Sequence, residues 1–167
     1  MIKMPGMDSA DNRMDKGMDA FCSPSIYKNV YYSTRHSIVV YSIKPVLPGH
    51  SMIIPKRHVV DIVDLRKEEA ADIFRVAKKV IPLLLKAYNG SSYNFTAQIG
   101  RHSGMTVYHI HFHIIPRNGG DSYQVDNNSI YDKVHRGRYH SRRMRYIENV
   151  DMEVRRLRRI FRYRGKR

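Results

Sequence analysis

A chain of 167 residues has room for one domain with a sizeable core. Its 42% hydrophobic content excludes a wholly disordered chain, and no apolar run reaches membrane-spanning length or forms the hydrophobic core of a signal peptide. The formal charge of +15 is uneven: residues 1–132 carry a net of +4 and residues 133–167 a net of +11, so the cationic excess belongs mainly to the tail.

In chain order, residues 1–22 combine five methionines with four aspartates and two glycines and read as a flexible arm ahead of a single domain over 23–167. Cys22 is the sole cysteine, which excludes an intrachain disulfide and fits a cytoplasmic location, with nuclear presence equally compatible. Ser25 to Tyr32 reads as a first strand, and His36 to Ser42 as a second, β-branched one. Pro45 and the Pro48-Gly49 pair then make a turn, and Ser51 to Ile54 resumes as a strand, leaving His50 at a turn-to-strand boundary.

His58 has no recognisable motif partner and reads as a surface or core-edge residue. Asp64 is the expected N-cap of a long helix whose apolar stripe includes Ile73, Ala77, Val80 and Leu84. Pro82 is expected to kink or divide that helix, and Asn89-Gly90 to stop it. Tyr93 to Gln98 forms a shorter strand, followed by a polar turn from Gly100 to Gly104. Backbone amides of that turn, with Ser103 or Thr106, suit a phosphate, although the spacing is not that of a Walker loop. A final helix is expected from Tyr146 onward, where Val150, Val154, Leu157 and Phe161 recur at helical spacing among crowded arginines.

Between the turn and Pro116, His109, His111 and His113 alternate with Ile110, Phe112 and Ile114. Period-two alternation predicts a strand with three imidazoles on one face and the apolar set in a core behind. Three readings are open. The histidines make local hydrogen bonds only; or they bind a metal, as imidazole suits zinc, copper or iron; or they form a phosphate site with a histidine nucleophile. No cysteine neighbours the stretch to complete a metal site, and Asp121 has no spacing that marks it as a ligand.

The stretch from Gln98 to Arg117, with its His109-x-His111-x-His113 core, resembles the signature of the histidine triad family of nucleotide hydrolases and transferases. Lys44-Pro-Val-Leu-Pro-Gly-His50 is similar to that family's strand-turn-strand segment, and Asp126 to Tyr131 resembles a segment of its fragile histidine triad branch, which cleaves diadenosine polyphosphates. The resemblance implies an α+β fold with an antiparallel sheet doubled across a two-fold homodimer. It implies His111 as nucleophile toward an α-phosphorus, surrounded by His109, His113 and His50, with Gln98 contacting phosphate and Tyr131 reaching the second half of the substrate.

Two positions depart from the branch. Met105, between Gly104 and Thr106, replaces a glutamine and cannot donate its amide hydrogen bond; Ser42 replaces an asparagine that meets ribose hydroxyls, with a shorter group that still donates and accepts. The resulting expectation is a dinucleoside polyphosphate hydrolase acting on diadenosine tri- or tetraphosphate, with nucleoside phosphoramidate hydrolysis as the alternative. Neither a tightly bound cofactor nor a metal on the triad is required, and Mg is expected only as companion to the polyphosphate. A reading of a different class makes the basic tail a nonspecific nucleic-acid contact, with Tyr139, Tyr146 and Tyr163 stacking on bases. No membrane contact is expected.

Overall fold

The computed structural model describes residues 19–119, 121 and 150–164. Five strands, β1 (Val30–Ser33), β2 (Ser37–Tyr41), β3 (Ser51–Pro55), β4 (Ser92–Thr96) and β5 (Phe112–Arg117), form one antiparallel sheet in the order β1-β2-β3-β5-β4. Two helices, α1 (Lys67–Tyr88) and α2 (Val150–Arg164), complete an α+β architecture. No helix among the described residues is long and apolar enough to cross a membrane.

Strands β2 and β3 are buried along their whole length because both faces of the sheet are covered. Val39, Tyr41, Ile53, Phe112 and Ile114 face a core closed by Val76, Val80 and Leu84 of α1 and by Val154, Leu157 and Phe161 of α2. The alternate positions, Ile38, Val40, Met52 and Ile54, form a smaller cluster with Ile26, against which Phe21 packs. His113 pairs with Met52 across β5 and β3, so its side chain emerges on the smaller cluster's side.

Helix α1 presents its buried positions Ile73, Val76, Ala77, Val80 and Leu84 at helical spacing. It ends as expected, with Asn89 in the left-handed conformation at φ 53° and Gly90 N–H donating to Leu85. Pro82 neither divides nor ends it: the helix runs unbroken through this exposed proline. The carbonyl that a residue-82 N–H would have served belongs to Lys78, itself exposed, so the missing donor falls on the solvent side of the helix and not in the core.

Other boundaries also differ from expectation. Ser25 to Tyr32 is not one strand: Pro24–Lys28 is a short 3-10 turn, and β1 starts only at Val30. Ser23 caps the turn by accepting the Ser25 N–H, and Pro24 supplies the φ of a first helical residue. Asp64 does not cap α1. It lies in a 3-10 turn over Ile62–Asp64 capped by Asp61, and α1 begins later, where Glu69 reaches back to the N–H of Arg66 at 2.9 Å.

Helix α2 answers how so many arginines share one helix. Its apolar stripe enters the common core, with Phe161 5.1 Å from Tyr31 and 5.3 Å from Tyr32. Two of its cations serve the fold: Arg158 donates to the Val30 carbonyl at 2.8 Å and Arg156 to that of Ala87 at 2.7 Å. Residues 146–149, included in the expected helix, lie outside the described residues.

Candidate active site

The three alternating histidines stay together, but β5 begins only at Phe112: His109 ends a bend and His111 lies in the irregular segment just ahead of the strand. There the His109 N–H turns back to the Val107 carbonyl at 2.8 Å, and the Ile110 N–H donates to the distant Val59 carbonyl at 2.6 Å, outside any strand ladder. Ile110, Phe112 and Ile114 still enter the main core, so the alternation survives the loss of regular pairing.

Each ring's tautomer follows from its partner. The Val46 N–H donates to Nδ1 of His50 at 3.2 Å, so His50 carries its proton on Nε2. That Nε2 donates to Nδ1 of His113 at 2.9 Å, which leaves the His113 proton on Nε2. His111 donates from Nδ1 to the His109 carbonyl at 2.8 Å, leaving an unshared pair on its Nε2. His109 donates from Nε2 to the Pro55 carbonyl at 2.9 Å. The His111 and His113 rings meet edge to face at 4.7 Å and the His50 and His113 rings lie 5.1 Å apart.

Burial holds all four rings neutral. It pushes His50 down to about 3 and His113 well below the usual imidazole range, with neighbouring histidines adding to both effects. His111 and His109 are lowered for the same first reason, although hydrogen bonds to carbonyl groups oppose it. The centre thus holds four uncharged rings, of which His111 keeps an unshared pair on Nε2.

His50 is set by the turn that precedes it. Gly49 adopts φ +87°, where a Cβ would lie 2.6 Å from the Tyr88 ring and 2.8 Å from Pro116. Ser42 is buried in the same turn; its N–H donates to the His50 carbonyl and its hydroxyl accepts the Lys44 N–H at 3.2 Å. Gln98 lies two residues beyond Thr96, which pairs with His113, so the antiparallel register carries the chain toward the level of His111. Gly104 takes φ +92° and Met105 is buried, its N–H donating to the Gly100 carbonyl at 3.3 Å, while Thr106 is exposed. Tyr131, like residues 122–149 generally, lies outside the described residues.

Sequence spacing missed four contributors. Asp19, Phe21 and Cys22 belong to the expected mobile arm, yet they pack against the triad: Phe21 meets His111 edge-on at 5.0 Å and His109 at 6.0 Å. His58, expected without a partner, bonds through Nδ1 to Asp19 at 2.8 Å and lies 5.1 Å from the His109 ring. Cys22 Sγ sits 3.6 Å from Nδ1 of both His58 and His109, so a cysteine does reach the triad, from 87 residues away in the chain. Burial, with the Asp19 carboxylate beside it, pushes the thiol up to about 11. No pattern in sequence links residues so far apart.

The model of the HIT domain matches residues 23–120. The nitrilase and fragile histidine triad fusion protein of Caenorhabditis elegans is 44% identical over 106 residues, which is 64% of this chain and only 23% of the fusion protein. The crystal structure of that protein superposes with a TM-score of 0.62 at 34% identity, covering 80% of this chain and 27% of the other. The bis(5'-adenosyl)-triphosphatase of Dictyostelium discoideum is 35% identical over 132 residues, 79% of this chain and 85% of the relative. With the motif, the antiparallel sheet and the clustered rings agreeing with a match that spans more than half its length, the chain belongs to the HIT domain family.

Proposed function

We propose that this chain hydrolyses dinucleoside polyphosphates, diadenosine tri- or tetraphosphate foremost, by way of a nucleotidyl intermediate on His111. The observation that carries this reading is the His111 tautomer: Nδ1 is committed to the His109 carbonyl, and Nε2 keeps its electron pair in a buried, neutral ring. Its support from relatives is the triphosphatase activity named for the Dictyostelium protein, which this chain matches over most of both lengths.

In the first step Nε2 of His111 bonds to the α-phosphorus while the bond from that phosphorus to the bridging oxygen breaks. The leaving nucleoside di- or triphosphate departs as an anion, and the Nε2–H of His113, backed by His50, is the candidate hydrogen-bond donor to its departing oxygen. Water then attacks the phosphorus and releases one proton to solvent, the phosphorus–nitrogen bond breaks, and nucleoside monophosphate departs as the imidazole regains its neutral state with the electron pair back on Nε2. Gln98, Ser42, Gly104, Met105 and Thr106 are the described residues assigned to the phosphate and ribose walls, and Tyr131 to the far half. No step needs a resident metal; Mg enters with the polyphosphate, whose charge it offsets.

A two-fold homodimer belongs to the same reading. Strand β4 ends the sheet, and beside it Tyr93 and Phe74 are exposed, an apolar edge that a second copy would cover. Light scattering at micromolar concentration tests it, with twice the chain mass expected.

The test of the activity is a panel of diadenosine triphosphate, diadenosine tetraphosphate and an adenosine phosphoramidate, with products identified and His111→Ala as control. Rapid acid quench of the wild-type protein should trap one nucleotidyl group per chain, absent from the variant. Undiminished dinucleotide turnover by His111→Ala would end this reading, and turnover of the phosphoramidate alone would replace the substrate.

A further inference from the structure

Tyr88, the last residue of α1, takes no part in the mechanism above, yet its side chain stands between α2 and the turn that carries His50. We propose that Tyr88 is a positioning residue: anchored by Glu153 and Arg156 of α2, its ring braces Gly49 and so keeps His50 in hydrogen-bonding register with His113. The kinetic consequence rests on the hydrolase reading, whereas the geometric one does not.

One side of the brace is a close approach of ring to backbone. A Cβ at residue 49 would lie 2.6 Å from Cδ2 and 2.9 Å from Cγ of Tyr88 and 2.8 Å from Pro116, so these two rings flank Gly49 with no gap for a side chain. Pro116 belongs to β5, the strand that also carries His113. Hydrogen bonds tie the turn elsewhere: the Gly49 N–H donates to the Tyr41 hydroxyl at 3.3 Å, and the Ser51 hydroxyl to the Gly49 carbonyl at 2.9 Å. Loss of the Tyr88 ring therefore frees the turn on the side where packing holds it.

The other side is polar and reaches 65 residues along the chain. The Tyr88 hydroxyl donates to Glu153 at 2.5 Å, and the Arg156 guanidinium lies over the ring at 5.2 Å. That guanidinium also donates to the Ala87 carbonyl at 2.7 Å and pairs with Glu153 at 3.4 Å. These contacts converge on the final turn of α1, where the helix's own hydrogen bonds run out and fraying would otherwise begin. Burial and the Glu153 carboxylate push the phenol well above its usual range, so its proton stays with the anchor. The effect of Tyr88 on the reaction passes through His50.

His50 follows Gly49 directly, and its Nε2 reaches His113 Nδ1 at 2.9 Å. A displacement of His50 by about 1 Å would break that bond and leave the His113 proton free to occupy either nitrogen. A brace on the preceding residue is thus a control on the tautomer of the last triad ring.

The experiment reads that bond directly. In protein labelled with nitrogen-15 at histidine, scalar coupling between His50 Nε2 and His113 Nδ1 across the hydrogen bond is measured without substrate. The wild-type protein should show it, as should Tyr88→Phe, which keeps the ring and its Arg156 contact; Tyr88→Leu should lose it. Ile73→Ala, which opens the core roughly 22 Å away along α1, controls for lost stability and should retain the coupling. With a dinucleotide substrate, Tyr88→Leu should lower kcat about 10–10²-fold with KM changed less than about twofold, and Tyr88→Phe should restore most of the loss. In a His50→Ala background the same replacement should change kcat by less than about twofold, because the register it protects is already gone.

Circular dichroism confirms that each variant folds. Should Tyr88→Leu not fold, Glu153→Ala combined with Arg156→Ala releases the ring from the α2 side and should weaken the coupling; an unchanged coupling there would overturn the brace. So would a wild-type protein without the coupling, a coupling that survives Tyr88→Leu, or a kcat loss that persists in full in the His50→Ala background. Absent turnover in every form, with the coupling lost only where the ring is removed or released, would bear out the brace while ending the hydrolase reading.

Discussion

His50 donates through Nε2 to Nδ1 of His113 across 2.9 Å, and the Val46 N–H on its other nitrogen prevents the opposite arrangement. A turn 63 residues upstream thereby sets the protonation state of the last triad ring.

Replacing His50 with alanine removes that donor and lets the His113 proton move to Nδ1. Turnover should fall by about 10²–10³-fold if the His113 N–H that His50 orients stabilises the departing oxygen. Steady-state kcat on the best dinucleotide of the panel measures it. Trapping of the nucleotidyl adduct in single-turnover experiments should slow with kcat, since departure of the leaving group belongs to that first step.

The same burial makes the fold acid-sensitive. His50 titrates near 3 when folded and His113 well below the usual range, whereas both bind protons near 6.5 when unfolded. The unfolded chain therefore holds more protons below about 6.5, and stability must fall as pH drops from there toward about 3. Each such ring contributes at most about 1.4 kcal/mol per pH unit. Urea denaturation across that range should show a shallower slope in folded His50→Gln than in the wild type.

Gly49→Ala tests the turn itself. Its Cβ would press on the Tyr88 ring and Pro116 while holding an unfavourable φ of +87°. A loss of about 1–3 kcal/mol is expected, with kcat reduced further because His50 is the next residue. Chemical denaturation and kinetics on one preparation separate the two effects.

Glu69 is buried under a two-pronged contact from Arg57, at 2.8 and 2.6 Å, and also accepts the Arg66 N–H at the start of α1. The guanidinium holds its carboxyl down to about 2. This stabilisation is complete above about 4.5 and disappears as pH falls through about 2. Glu69→Gln should lower the melting temperature at neutral pH by about 2–4 °C or more, and the gap should close toward pH 2.

Leu157 is fully buried at the centre of the α2 stripe. Leu157→Ala should cost about 2–5 kcal/mol in urea denaturation, far more than an exposed substitution such as Arg155→Ala. Equal effects would mean that α2 does not share the core.

What could be read directly from the chain was whatever depends on neighbours in sequence. Period-two alternation put Ile110, Phe112 and Ile114 in the core, helical spacing marked α1 and the buried side of α2, and Asn89-Gly90 marked a helix stop. The His109-x-His111-x-His113 motif identified the family because its spacing is local and rarely arises otherwise. Element starts were less legible: Ser23-Pro24 favoured a 3-10 turn over β-prone Ile26 and Tyr27, and Glu69 rather than Asp64 marked the entry to α1. Only the folded chain decided which nitrogen of each imidazole carries a proton, since carbonyl groups of Pro55 and His109 and the N–H of Val46 make that choice. The meeting of Asp19 and Cys22 with His58 and His109 is likewise tertiary, because proximity across 36 to 90 residues is set by how the sheet and its overlying segments pack. Periodicity records which face a side chain occupies, but not which distant side chain will meet it there.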